Sequence, residues 1–332
     1  MTVGVKAGWA AQAERGSPVV VRAALAVLLW AGPWVLPLLV WPSTAWFLAT
    51  SGRARGASRE YLGRVLGRRA STWDVARHFH AFSRAVGDRV LLVAGWEERF
   101  EIETVGLEAL LDVLAEGRGC ILMGAHLGSF EVLRTVAQRC PVPVWALMHR
   151  RPGGSLGPLL EELAPDLAAR VLVIGDTASM IQARECVERG EIVGILADRM
   201  PEGPPAGHRM VGVPFLGSEA AFPSGPFVLA ATLGAPVVLF HGVRVAGGWR
   251  RRGRYRVEFQ QFAERVVLRR ASRAADLAAV VGRYAAALEG TCRAYPFQWF
   301  NFFPFWERRG DGEGVAAVRP GAGGVLVGKR AG

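Results

Sequence analysis

The chain contains few cysteines and almost no lysine. Its four cysteines, in 332 residues, form no C-x-x-C pair and have no metal-ligand spacing, which argues against a disulfide framework and favours a reducing compartment. Of the 40 basic residues, all except Lys6 and Lys329 are arginine. Charged residues make up only 21% of the chain, against 51% hydrophobic residues. This composition excludes a disordered or fibrous protein and is typical of a membrane-associated one.

The arginines are unevenly distributed. Residues 51–70 contain six arginines and one glutamate, and residues 244–270 contain nine arginines and two glutamates. Together these stretches account for the net charge of +11 of the whole chain. Localised positive charge attracts polyanions such as an anionic membrane, an acidic protein or nucleic acid. For residues 244–270, solvated arginine-rich loops are the alternative.

The longest uncharged stretch runs from Ala23 to Thr50, which is long enough to span a bilayer as a helix. Three prolines within it disfavour a straight helix and predict a kinked span or a re-entrant segment: Pro33, Pro37 and Pro42. Four tryptophans are typical of the membrane–water interface: Trp30, Trp34, Trp41 and Trp46.

We therefore expect residues 1–50 to form a membrane anchor. The arginine-rich flank at 51–70 then lies on the cytoplasmic side. A buried helix of a soluble protein is the alternative interpretation.

After a helical stretch near residues 58–95, strand and helix patterns alternate. Strands are predicted at 119–125, 142–148, 171–174, 192–197 and 236–243, with an edge strand at 254–262. Helices are predicted at 129–139, 156–163, 177–188 and 271–293, together with one that ends at residue 233. A long loop is predicted at 198–224. This alternation predicts an α/β fold with a mostly parallel central sheet flanked by helices on both faces. Residues 51–308 would form this domain and residues 309–332 a disordered glycine-rich tail.

The first predicted strand ends in the sequence His126-Leu127-Gly128-Ser129-Phe130-Glu131. On one continuous helix His126 and Glu131 would lie on different faces. With His126 on a loop and Glu131 in the first helical turn, the two side chains can meet. Glu131 would then orient the imidazole, and His126 would act as a general base. No protein nucleophile accompanies them, so the nucleophile would be a substrate hydroxyl.

The stretch Gly124–Glu131 resembles the H-x4-D/E block of glycerolipid acyltransferases, and most of all the bacterial lipid A late acyltransferase branch. Other blocks resemble that branch in order and spacing: residues 57–62, 148–150, 197–199, 213–217, 222–226 and 295–300. The resemblance covers about residues 15–308. Ser129-Phe130 and the aromatic ending at 300–306 depart from the branch's usual sequences. These departures bear on which acceptor is used and not on acyl transfer itself.

The resemblance implies transfer of a fatty acyl group to a hydroxyl of a lipid or glycolipid. The donor would be a thioester of acyl carrier protein or coenzyme A, with no other cofactor and no metal. Arg150 and Arg199 would hold the acceptor phosphate or stabilise developing negative charge, while Phe215, Gly217 and Gly225 would shape the acceptor pocket.

The same resemblance implies a location and partners for the chain. It would lie at the bacterial inner membrane, with the catalytic domain on the cytoplasmic face. The basic stretch 244–270 would dock the acidic carrier protein or the anionic leaflet. Nucleic acid is not expected as a partner.

Simpler roles remain open for three of these residues. His126 would be a hydrogen-bonded histidine at a strand end, Arg199 would cap a helix or pair with Asp198, and Arg150 would be a solvated base. Two other classes of protein also compete. A serine hydrolase would need a nucleophilic serine on a strand-to-helix turn, and a non-enzymatic membrane- or nucleic-acid-binding protein would explain the charge but not the His–Glu block.

Overall fold

The computed structural model describes residues 26–28, 30–132, 142–148, 170–199, 210–246 and 253–306. Its strands are β1 (Phe100–Val105), β2 (Cys120–Gly124), β3 (Val144–Met148), β4 (Val171–Val173), β5 (Ile192–Leu196), β6 (Met210–Phe215), β7 (Ser218–Pro223), β8 (Val237–Ala246) and β9 (Gly253–Ala263). Its α-helices are α1 (Leu36–Thr50), α2 (Gly52–Leu66), α3 (Thr72–Val93), α4 (Glu108–Ala115), α5 (Thr177–Glu188), α6 (Gly225–Leu233) and α7 (Arg273–Ala294).

Seven strands form the central sheet in the order β1-β9-β8-β2-β5-β3-β4. Every neighbouring pair is parallel except β8 and β9, which are antiparallel. The predicted mostly parallel sheet is therefore confirmed. The strands predicted to start at 119, 142, 171, 192 and 236 begin within two residues of these positions.

Helices cover both faces of this sheet, because its central strands are apolar on both sides. Every residue of β2 is buried. Ile121 and Met123 pack on the face that carries α2, α5, α6 and α7, and Cys120 and Leu122 pack on the face that carries α1 and α4. The central strands are thereby shielded from water, and only the loops at their ends remain accessible.

A separate antiparallel hairpin, β6–β7, lies within the region predicted as a long loop at 198–224. That prediction was wrong for residues 210–223. The hairpin closes with Leu216 and Gly217, both at positive φ, as a two-residue hairpin turn of the primed type requires. Gly217 is exposed at this tip, so the turn itself explains why glycine is present.

The prediction of 254–262 as an edge strand was also wrong, because β1 pairs with β9 and becomes the edge. β1 is mostly exposed and carries charged side chains, so its hydrophobic pattern is weak. Arg254 and Arg256 of β9 form ion pairs with Glu101 and Glu103 of β1. Part of the basic stretch 244–270 is therefore neutralised within the sheet.

The N-terminal segment is interrupted, as its prolines predict. Gly32 adopts a positive φ, residues Pro33–Val35 form a 3-10 turn, and α1 follows. Leu36 and Val40 of α1 are buried against α3, and the Gly87 position on α3 leaves room for the Leu36 side chain. Among the described residues, no helix combines the length and the apolar character needed to cross a bilayer. The whole of the predicted tail, 309–332, and residues 1–25 lie outside the described part of the chain.

Candidate active site

His126 and Asp198 come together because β2 and β5 are parallel neighbours in register. Gly124, the last residue of β2, pairs with Leu196, the last residue of β5. His126 and Asp198 each follow two residues later, so both emerge at the same edge of the sheet. His126 Nδ1 lies 2.8 Å from Asp198 Oδ1, and the backbone N–H of His126 also donates to Oδ1 at 3.1 Å.

This hydrogen bond assigns the ring proton. A carboxylate oxygen accepts, so Nδ1 carries the hydrogen and Nε2 is the basic atom of the neutral imidazole. The His126 side chain is 32% exposed, whereas that of Asp198 is fully buried. The pair therefore places a partly accessible base on a buried, oriented support.

Asp198 remains ionised although it is buried. Burial raises the pKa of its carboxyl group, but the positive charges of His126 and Arg199 and the hydrogen bonds from His126 and Trp299 lower it more, to well below its usual range. The Trp299 indole Nε1 donates to Oδ2 at 3.0 Å, and Arg199 Nε lies 3.6 Å from the same oxygen. Such a carboxylate stabilises an imidazolium beside it.

Glu131 has a different partner from the one expected. Its carboxylate forms an ion pair of 2.8 Å with Arg89 Nε of α3, and the Arg89 guanidinium also lies 4.7 Å from the centre of the Phe130 ring. The carboxylate on His126 Nδ1 is that of Asp198, so the expectation that Glu131 holds this nitrogen is corrected. Glu131 instead connects the end of the loop at 126–130, the candidate catalytic loop, to α3.

The loop between His126 and Glu131 is held on both sides by backbone hydrogen bonds. Gly128 N–H donates to the carbonyl of Gln298, and Ser129 N–H donates to that of Gly242 at 2.7 Å. Gly128 has a φ of +68°, and a Cβ there would overlap the Gly242 carbonyl oxygen. Only glycine satisfies both conditions, since its backbone reaches positive φ without strain.

The segment from Gln298 to Phe300 completes this support. The Gln298 side chain acts like a strand partner of Arg244: its Oε1 accepts from the Arg244 N–H at 2.8 Å, and its Nε2 donates to the Arg244 carbonyl at 2.7 Å. Phe300 N–H donates to the His126 carbonyl at 3.0 Å. Sequence reasoning noted this block only for its resemblance. The Phe300 backbone amide binds the His126 carbonyl, and the Trp299 indole binds the Asp198 carboxylate. These two groups hold the His126–Asp198 pair in place.

Two of the predicted substrate-binding residues are enclosed by the protein. Arg199 is 11% exposed, lies beside Asp198 and donates to the Phe300 carbonyl at 3.0 Å, which matches the alternative that it pairs with Asp198. Phe215 is fully buried, and its ring packs on those of Trp299 and Phe305. Their expected contacts with an acceptor stay predictions.

The other predicted residues are placed as follows. Gly225 is the first residue of α6 and is exposed, with open space where a Cβ would lie. Gly217 lies at the exposed hairpin tip. Arg150 and most of the arginine cluster at 250–254 lie outside the described residues. Among the residues that are described, no group of three or more His, Cys, Asp or Glu side chains could hold a metal ion.

Comparison with known protein families identifies the family of the chain. No curated protein matches the chain. The sequence model of the bacterial lipid A biosynthesis acyltransferases matches residues 46–308, a range that begins within α1 and includes the candidate catalytic loop, Asp198 and the segment 298–300. The chain therefore belongs to the bacterial lipid A biosynthesis acyltransferase family.

Proposed function

We propose that the protein transfers a fatty acyl group from a thioester of acyl carrier protein or coenzyme A to a hydroxyl group of a lipid or glycolipid. One observation carries this proposal. A member of a lipid acyltransferase family places a histidine with a buried carboxylate on its Nδ1 at the carboxyl end of a parallel sheet, where α/β proteins bind ligands.

In the proposed reaction, His126 Nε2 removes the proton of the acceptor hydroxyl while the hydroxyl oxygen attacks the thioester carbonyl. The carbon–oxygen bond forms, the carbon–sulfur bond breaks, and the leaving thiolate takes the proton back from the imidazolium. Asp198 stabilises the imidazolium and keeps the proton on Nδ1. No covalent acyl-enzyme is formed.

Glu131 contributes to catalysis in this scheme by position. Its ion pair with Arg89 fixes the first turn after the catalytic loop against α3. Because Gly128 and Ser129 are held on the other sides by Gln298 and Gly242, the loop is restrained along its whole length. Restraint of this kind keeps the base within hydrogen-bond reach of its substrate.

Arg150, Arg199, Phe215, Gly217 and Gly225 are proposed to act on the acceptor side. The open space at Gly225 supports close approach of an acceptor there. In addition, Arg199 would help to maintain the negative charge of Asp198.

Helix α1 is proposed to lie in the membrane interface at the cytoplasmic face of the inner membrane. One of its faces packs on α3 through Leu36 and Val40. The opposite side exposes Leu38 and Trp46 by 71% and 58%, and the 3-10 turn that precedes the helix exposes Trp34 by 64%. An apolar, tryptophan-rich face on a helix attached to the domain is typical of interfacial anchoring.

The test uses the full-length protein in detergent with acyl carrier protein thioesters, coenzyme A thioesters and a bacterial lipid extract. We expect one lipid species to gain an acyl chain in equal amount to the thiol released, and His126→Ala to release none. Thiol release without an acylated lipid would indicate a thioester hydrolase. Absence of both, with every donor, would contradict acyl transfer.

A further inference from the structure

A cavity of about 380 Å³ opens between α3, the end of β8 and α1. Its wall includes Gly128, which lies two residues after His126 in the catalytic loop, and also Gln298 and Phe300 of the segment that holds this loop. The cavity therefore borders the catalytic loop. None of the roles derived above uses it.

Basic side chains dominate the polar part of this wall. α3 contributes Arg77, His80 and Arg84, whose spacing of three and four residues places them on one face of the helix. Arg244 at the end of β8 contributes a third guanidinium group. No carboxylate side chain lines the cavity among the described residues.

A buried acid, Asp88, lies beside two of these arginines, Arg84 and Arg244. Asp88 is buried, accepts a hydrogen bond of 2.8 Å from the Tyr255 hydroxyl, and lies 3.5 Å from Arg244 Nε. This carboxylate interacts electrostatically with Arg244 and Arg84. Burial and the nearby Arg244 lower the pKa of Arg84, and burial and Arg84 lower the pKa of His80, so these basic groups lie close to one another beside the cavity.

The cavity also has room for a ligand, because α3 turns small residues toward it: Ala76, Ala81 and Ala85. Trp41 of α1 closes the outer side, with its indole ring 4.4 Å from that of His80. Since α1 is the proposed interfacial helix, the opening lies where a lipid headgroup or a donor arm would approach the catalytic loop.

We propose that this cavity binds a phosphate ester of one of the two substrates, and that Arg77, Arg84 and Arg244 hold its oxygens. Guanidinium groups bind phosphate by paired hydrogen bonds. A phosphate carries a charge of about −1 to −2, opposite in sign to the guanidinium groups that line the cavity. Phosphate esters occur in lipid headgroups and in the phosphopantetheine arm of acyl thioesters. The inference rests on the proposed function for the identity of these two sources.

The first experiment measures binding without activity. The full-length protein is treated with phenylglyoxal in inorganic phosphate or in chloride of matched ionic strength, and arginine modification is measured by mass spectrometry. We expect phosphate to protect Arg77 and Arg84. The exposed Arg254, paired with Glu101, is the reference that should stay unprotected. Equal modification of Arg77 and Arg84 in both salts would overturn the proposal.

Two variants make this result specific. Arg84→Gln removes a guanidinium group, and Ala81→Glu places a carboxylate in the cavity, so phosphate should no longer protect Arg77 in either protein. The two substitutions affect folding differently, and a folded protein from either suffices. Protection of Arg77 that persists in the folded variants would overturn the site.

The second experiment identifies the source by kinetics. Arg77→Gln and Arg84→Gln should raise one Michaelis constant by about 10- to 100-fold, the cost of losing a charged hydrogen bond. A rise for the lipid acceptor alone assigns a headgroup phosphate, and a rise for the thioester alone assigns the phosphopantetheine. Arg184→Gln, at an exposed ion pair on α5, is the matched control. Unchanged constants for both substrates would overturn the proposal.

The two experiments separate this inference from the proposed function. If the wild-type protein transfers no acyl group, acyl transfer fails, while protection by phosphate still decides whether the anion site exists.

Discussion

The indole nitrogen of Trp299 donates a hydrogen bond of 3.0 Å to one oxygen of Asp198, and His126 donates one of 2.8 Å to the other. A single buried carboxylate thus connects the C-terminal aromatic segment to the imidazole. The Trp299 ring is fully buried against Phe215 and Phe305, with ring centres 5.3 and 5.0 Å away. The packing of the aromatic core therefore fixes the orientation of the candidate base.

Asp198→Asn should reduce turnover by about 10²–10⁴-fold with little change in either Michaelis constant. The amide cannot stabilise an imidazolium and no longer enforces the proton on Nδ1. Glu131→Gln should reduce turnover less, because Glu131 pairs with Arg89 rather than with the imidazole. Steady-state kinetics of both variants check this, and a larger loss for Glu131→Gln would return the orienting role to Glu131.

His126→Ala should abolish acyl transfer, and the double variant with Asp198→Asn should be no worse, because the two residues act as one unit. Ser129→Ala should have a mild effect. Ser155 is the second serine to replace. It belongs to the Gly-Gly-Ser-Leu-Gly stretch at 153–157, which lies outside the described residues. A covalent acyl group on either serine, seen by mass spectrometry of the intact protein, would support a serine hydrolase instead.

Trp299→Phe should lower turnover by about 10-fold and leave the fold intact. The phenyl ring keeps most of the apolar contacts but removes the hydrogen bond to Asp198, a loss of about 1–3 kcal/mol for a charged acceptor. Phe305→Leu is the matched control, since it alters the same cluster without touching Asp198. An equal loss of activity in both variants would mean that packing, and not the hydrogen bond, supports the base.

Replacing Trp34, Leu38 and Trp46 by serine should weaken binding to anionic vesicles in a flotation assay. These side chains are exposed on α1 and on the 3-10 turn that precedes it, so the fold should persist. Deleting residues 1–50 would instead uncover the face of α3 that Leu36 and Val40 cover, and is the weaker test. Ile181→Ser, at an exposed site on α5, should bind as the wild type does; unchanged binding of the triple variant would contradict interfacial anchoring by α1.

Acidification below pH 6.5 should destabilise the fold, in part through His78. Its Nε2 donates to the Trp299 carbonyl, and its Nδ1 accepts from the Ser58 hydroxyl, so both nitrogens are bound in the neutral ring. Burial lowers the pKa of His78 from 6.5 to about 4. The unfolded chain therefore binds more protons between these values, and stability present above pH 6.5 is lost as the pH falls toward 4.

The expected loss is about 2 kcal/mol at pH 5 for one such histidine. Urea unfolding at pH 7 and pH 5 measures it, and His78→Gln should show a smaller difference between the two pH values than the wild type. An unchanged difference would mean that His78 is not the group that titrates. His241, also buried with its pKa lowered to about 4, should account for part of the remainder.

Much of the sheet and one half of the candidate site follow from the sequence alone. The apolar runs at 120–124 and 192–196, alternating with helical patterns, predicted buried strands, and the position of His126 at a strand end predicted that it lies on a loop before a helix. Hydrophobic periodicity is a local property, so these elements could be read without knowing their neighbours. The strand β1 and the hairpin β6–β7 were missed because their patterns are short and partly polar.

Strand order and side-chain partners were decided by the tertiary structure. Asp198 follows its strand by two residues just as His126 does, but their meeting depends on β2 and β5 being adjacent and in register, which no local pattern specifies. Glu131 was chosen for its nearness in sequence, yet Arg89 on α3 takes its carboxylate. The cavity between α3, β8 and α1 likewise joins arginines 160 residues apart, Arg84 and Arg244. Long-range packing brings these groups together, and such packing is a property of the assembled core rather than of any segment.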